Sequence, residues 1–135
     1  MLKKVEYQGL MYAIIIQSNY RADGIEFFTP PEFSQQLALM SRPRGHIIQP
    51  HFHRKIERQV FLTQEVLLVK KGRVRVNFYN SQKEILGSET LEKGDVILLS
   101  EGGHGFEVLE DCEMLEVKQG PYLGDQDKVR FDPKS

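Results

Sequence analysis

An all-β fold, a single antiparallel β-barrel or sandwich, is what this chain predicts, on three observations. Short β-branched and aromatic runs recur along its 135 residues, Gly and Pro turn signals separate them, and no long amphipathic helix interrupts the series. The length suits one domain over 1–135 with a real hydrophobic core.

The elements follow in order. The start, Met1-Leu2-Lys3-Lys4 with the apolar run Leu10–Ile16, faintly resembles a secretion leader. Glu6 and Gln8 interrupt it, however, and Gln17-Ser18-Asn19-Tyr20 offers no small-residue cleavage site, so a first strand is expected there. Tyr12–Ile16 and Ile25–Phe28 are strands flanking the turn signal Ala22-Asp23-Gly24, and Pro30-Pro31 breaks the chain. Residues 32–39 could open with one helical turn. Gln36–Ser41 and Gly45–His53 read as strands, followed by a polar stretch to Thr63. Glu65–Val69 is the next strand, Lys70-Lys71-Gly72 a tight turn, and Arg73–Tyr79 alternates charged and apolar residues as a half-buried strand does. Ile85–Leu91, Val96–Leu99, Phe106–Leu109 and Met114–Lys118 complete the set, and the tail over 121–135 is polar.

Composition excludes several classes. The 18 Lys+Arg and 19 Asp+Glu leave a formal charge of −1 with the signs interspersed, so neither nucleic acid nor an anionic membrane surface is indicated as a partner. No apolar run approaches the roughly 20 residues of a membrane span. Cys112 is the only cysteine, which precludes an intrachain disulfide and fits a reducing, cytoplasmic setting. It stands between Asp111 and Glu113, with no cation beside it to activate the thiol. A phosphate-binding glycine loop and a serine nucleophile elbow are both lacking.

The chemistry-bearing residues are histidines. On a strand, side chains alternate faces, so His51 and His53 point the same way and can hold one metal ion. Ile47 and Gln49 share that face. Ile48, Pro50 and Phe52 take the other and need cover from a second sheet or a partner subunit, which predicts a homodimer. Two carboxylates compete to join them. Glu57 lies in the charged stretch Arg54-Lys55-Ile56-Glu57-Arg58, where solvent accounts for it. Glu65 opens the apolar run Val66–Val69, where a charge at the edge of a buried strand calls for a partner. His104 is flanked by Gly103 and Gly105 and shares phase with Phe106 and Val108, so a strand starting there aims it at the core. His46 has the opposite phase to His51. Gln49, Arg44, Phe106 and Tyr122 are the candidate substrate contacts, with Arg42 and Lys118 as further cations for a polar ligand. In the last strand, burial of Leu115 and Val117 predicts that Glu116 and Lys118 face outward. The opposite phase would line the interior with that charged pair.

Two motifs give these residues a family resemblance. Gly45, five residues, His51-x-His53, then Glu65, six residues and Gly72 resembles the first motif of the cupins, small jelly-roll β-barrels; the spacer of 11 residues before Glu65 is longer than the family's. Gly94, Gly102 and His104 resemble the second motif. Ser100 stands where Pro is usual, His104 comes one residue early, and Val108 occupies the place of Asn. The resemblance covers residues 36–118 and implies a closed cupin jelly-roll antiparallel β-barrel. It implies one divalent transition metal (iron, manganese, nickel or zinc) held by His51, His53, Glu65 and His104. Oxygenase or isomerase chemistry on a small polar or carbohydrate-like substrate would follow. A non-catalytic ligand-sensing cupin and a metal-independent sugar epimerase or isomerase remain open, the latter needing a histidine base with a facing Lys or Tyr such as Tyr79 or Tyr122.

Overall fold

The structure is a computed structural model and describes residues 1–134. Eight strands follow in chain order: β1 Leu2–Tyr7, β2 Leu10–Ile16, β3 Gly24–Phe27, β4 Ala38–Ser41, β5 Glu65–Tyr79, β6 Ile85–Glu92, β7 Val96–Leu99 and β8 Gly103–Lys118. The chain divides into two compact units, one formed by Met1–Tyr20 with Leu62 onward, the other by Arg21–Phe61.

In the first unit a single antiparallel sheet holds six strands. β1 and β2 form a hairpin whose turn residues, Gln8 and Gly9, both have positive φ, the geometry that matches the right-handed twist of the strands it joins. β2 pairs with β7, Ala13 opposite Leu99 and Ile16 opposite Val96. β5 is the spine. Along one edge it pairs with β8 over its whole length, Glu65 opposite Lys118 and Tyr79 opposite Gly103. Along the other it pairs first with β7 and then with β6. β6 and β7 are therefore one strand interrupted at Lys93-Gly94-Asp95. Buried Asp95 fixes that interruption, its carboxylate accepting the N–H groups of Ser18 (2.9 Å) and Glu92 (2.8 Å).

Lys70-Lys71-Gly72 is not a turn between two strands, as its composition predicts, but a bend within one. Register shifts at Val69, Lys71 and Arg73 let β5 and β8 bend together without separating. Gly72 has φ +84°, and a Cβ there would run into the backbone carbonyl of Asp111 on β8, so only glycine allows this approach. The bend folds the apolar face of β5 inward, and Leu67, Val69, Val74, Val76 and Phe78 become core residues with Val5, Ala13, Ile15, Leu91, Ile97 and Leu99. Tyr7 and Tyr12 meet edge to face, centroids 5.3 Å apart, and both lie against Phe78. The ion pair between Lys3 of β1 and Glu89 of β6 closes the curl.

The result is a curled antiparallel half-barrel. Among the described residues no ladder joins β1 to β8, so the expected closed barrel is corrected to an open one. In the last strand the phase is the reverse of that expected. Met114 and Cys112 pack on the core, while Leu115 and Val117 are exposed. Glu116 and Lys118 thus share the inner phase. Local hydrophobicity misled because the bend, not the composition of β8, decides which face turns inward.

The second unit is a two-stranded hairpin of β3 and β4, Gly24 opposite Ser41 and Phe27 opposite Ala38. Thr29 Oγ1 donates to Gln36 Oε1 (2.8 Å), and Gln36 Nε2 donates to the carbonyls of Pro30 and Phe33, bracing the loop between the strands. No helical turn forms over 32–39. Beyond β4 the expected strand over 45–53 is also absent: residues 42–61 carry no regular secondary structure. The alternation there is compatible with a strand, but no ladder partner is present. The tail holds one short 3-10 turn, Gly124–Asp127, tied to the first unit by Thr63 Oγ1 donating to Asp127 (2.5 Å).

Candidate functional site

Glu65 and His104 begin their strands at the same corner of the first unit. Glu65 pairs with Leu99 at the end of β7, and the chain returns through Ser100–Gly103 to start β8. That corner is tight: Gly102 has φ +74°, and a Cβ on it would collide with the ring of Tyr12. The bend at Gly72 brings the far end of β5 back as well, so that His104, opposite Phe78 in the ladder, meets Glu65 at the strand's beginning. His104 Nε2 lies 3.3 Å from Glu65 Oε1, and both side chains are mostly buried. The other ring nitrogen, Nδ1, is buried with no hydrogen-bond partner. With Nε2 directed at Glu65, Nδ1 is the ring nitrogen left to meet a ligand.

Glu116 and Lys118 complete the cluster from the opposite end of β8. The hydrogen bond to His104, then that to Glu116 and the nearby charges of His104 and Lys118, hold Glu65 down to about 2 against the opposing effect of burial. Glu116 moves the other way. Its hydrogen bond to Glu65, its burial and the charge of Glu65 raise its pKa, with Lys118 and Lys128 opposing. The two carboxyls interact, and the interaction favours the proton on Glu116 over Glu65. Lys118 Nζ sits 5.9 Å from the centroid of the Tyr122 ring, and Tyr122 is otherwise exposed.

Beneath this cluster lies a buried amide clamp. The Gln64 N–H donates to Gln119 Oε1 (2.8 Å), and Gln64 Nε2 donates to Ser100 Oγ (3.2 Å). Ser100 also donates its backbone N–H to the carbonyl of Tyr12 (3.0 Å). The proline usual at this position in the resembling motif would forfeit both bonds. Beside the same glycine corner opens a pocket of ≈ 470 Å³, lined by Tyr12, Asn80, Lys83, Glu101, Gly103 and Phe131 among others.

The remaining expected residues lie in the second unit. His51 and His53 are exposed, their ring centroids 5.1 Å apart. His51 Nδ1 is 2.8 Å from the carbonyl of Gln49, an arrangement that leaves Nε2 free as an acceptor. Arg44, Gln49 and Glu57 are exposed there too. Each histidine pair is thus gathered within its own unit. Among the described residues no three His, Cys, Asp or Glu side chains are arranged to hold a metal ion. Phe106 packs its ring 5.8 Å from that of His104. The residues that sequence reasoning passed over are Lys128, Lys83, Glu101 and Phe131; none lies in a motif, and only the curl of the sheet and the tail bring them in.

Comparisons with known proteins add no relative: no family model, no curated protein and no solved structure matched this chain. No helix is long and apolar enough to cross a membrane among the described residues.

Proposed function

We propose that this protein is a small-molecule-binding cupin, a jelly-roll relative whose working end is the Glu65–His104–Glu116–Lys118 cluster. One observation carries the reading: a buried imidazole backed by a carboxylate at 3.3 Å whose second nitrogen has no partner. Leaving a buried polar atom unpaired costs about 1–3 kcal/mol, so Nδ1 of His104 calls for a ligand. A carboxylate–histidine pair of this kind is how metal-binding imidazoles are oriented and made more basic. His104, oriented by Glu65, therefore fits a divalent iron, manganese, nickel or zinc ion. When bound, such an ion supplies Lewis acidity toward a substrate oxygen.

The chain's own groups support a substrate class. Lys118 offers one cation, Glu116 and Glu65 are two interacting carboxyls whose proton affinities are driven in opposite directions, and Gln64 is hydrogen-bonded to Gln119 at the strand ends. That set suits a small polar or carbohydrate-like molecule bearing a hydroxyl or carboxylate. The single cysteine is consistent with cytoplasmic work.

A second reading rests on the same dyad. With no ion bound, His104 backed by Glu65 is a general base and Lys118 an acid nearby, the equipment of a metal-independent epimerase or isomerase. Equilibrium dialysis against each divalent ion separates the two. On the metal reading His104→Ala weakens binding at least tenfold, while Glu57→Ala leaves it unchanged. Absence of binding to the wild-type protein by every ion would leave the epimerase reading alone, and unaltered binding by His104→Ala would remove the dyad from the metal site.

A further inference from the structure

The segment 42–61 has no regular secondary structure and is exposed throughout. Phe52 is 100% exposed, Phe61 93% and Ile47 81%. Apart from the turn in which His46 N–H donates to the Pro43 carbonyl and the bond between the Gln49 carbonyl and His51, its backbone groups make no hydrogen bond among the described residues. Ile48, Phe52, Ile56 and Val60 recur at even positions, so in an extended conformation they share one face. The hairpin from which the segment leaves has strands of only four residues, and a two-stranded hairpin by itself is marginal in water.

The first unit carries a matching lack. β8 is 16 residues long and pairs with β5 alone, so its other edge presents a row of open N–H and C=O groups about 50 Å long. Val108, Leu115 and Val117 along it are more than half exposed. An edge this long and apolar invites strand addition, and its charges determine what can add. β8 bears five carboxylates, Glu107, Glu110, Asp111, Glu113 and Glu116, against Lys118. Two β8 edges therefore repel each other. The segment 42–61 bears five cations, Arg42, Arg44, Arg54, Lys55 and Arg58, against Glu57. None of those five makes an ion pair among the described residues, whereas Glu107 and Glu110 are engaged by Arg75 and Arg73 and Asp111 and Glu113 are not.

We propose that the basic segment 42–61 of one copy adds as a strand to the acidic β8 edge of a second copy, and reciprocally. Each chain has one such segment and one such edge, and reciprocal exchange about a two-fold axis uses both and closes at two copies. Main-chain hydrogen bonds supply affinity, the even-numbered apolar face covers exposed β8 side chains, and charge fixes the choice of edge. Pro50 sets the register. Lacking an N–H, it sits on the new edge only with its nitrogen turned outward, which turns the N–H groups of His51 and His53 toward β8. The proposal is independent of any metal.

The test is light scattering over a concentration series, paired with amide hydrogen exchange on the whole chain. A two-chain mass is expected, with the amides of 47–61 and of β8 protected together. The double variant F52E/I56E changes two exposed side chains of the even-numbered face. It should raise the dimer dissociation constant at least tenfold and expose both sets of amides while the circular dichroism of the sheet persists. Asp111→Lys with Glu113→Lys should weaken the dimer likewise from the other side. A single-chain mass at 100 times the micromolar range, with or without protection of 47–61, would overturn the proposal. So would a dimer whose dissociation constant neither pair of substitutions alters.

Discussion

The two histidine pairs are built by opposite means. His104 reaches Glu65 because a bent strand, a glycine corner and a full ladder bring their backbones together, and the hydrogen bonds that follow, His104 to Glu65 and Glu65 to Glu116, drive the two carboxyls apart in proton affinity. His51 and His53 stand close only because they are two residues apart on an extended chain, with solvent on both sides. The first pair is positioned by the fold; the second is positioned by covalent spacing and awaits a surface. A constellation is preorganised where tertiary structure has already met the cost of desolvation, and merely available where it has not.

Substitution should expose that difference most strongly in stability. His104→Ala leaves Glu65 buried and without its imidazole, and is expected to destabilise the first unit by about 1–3 kcal/mol in urea unfolding. His51→Ala and His53→Ala, on exposed chain, should change it by no more than about 0.5 kcal/mol in the single chain. Equal losses from both pairs would erase the contrast.

A smaller effect sharpens it through pH. Glu65 is held below its ordinary value, so its contribution is present above the unfolded pKa near 4.5 and is lost as pH falls toward about 2. Glu116 is raised, so its contribution is full below the unfolded pKa and is lost as pH rises through the folded one. Glu116→Gln, a neutral donor that keeps the hydrogen bond to Glu65, should therefore raise the melting temperature at pH 7 and leave it unchanged at pH 4. Glu65→Gln should flatten the acid limb below pH 4.5. A Glu116→Gln variant less stable at pH 7 than the wild type would contradict the raised proton affinity of Glu116.

Much of the sheet was legible from sequence. Alternation found Arg73–Tyr79 of β5, and continuous β-branched or apolar runs found β2 and β7, whose residues 12–16 and 97–99 are buried on both faces. The same logic failed at Leu115 and Val117, whose apolar pair faces solvent, and at Glu116 and Lys118, which turn inward. β8 is an edge strand whose inner face is set by the bend at Gly72, a tertiary event that local hydrophobicity does not encode. His104 was legible because two glycines mark its corner, and Glu65 because a charge opens an apolar run. The segment around His51 was misread as a strand. Its pattern is that of a strand, but a pattern forms one only where an edge receives it.

On the proposed reading, His104, held by Glu65, supplies the nitrogen that meets a ligand. Nitrogen-15 spectra of the histidine rings through a zinc titration test it directly, since each ring nitrogen reports separately. The expected result is a large shift of His104 Nδ1 at the first equivalent, while Nε2 keeps its proton toward Glu65. Shifts confined to His51 and His53, with His104 unmoved at saturating zinc, would contradict it.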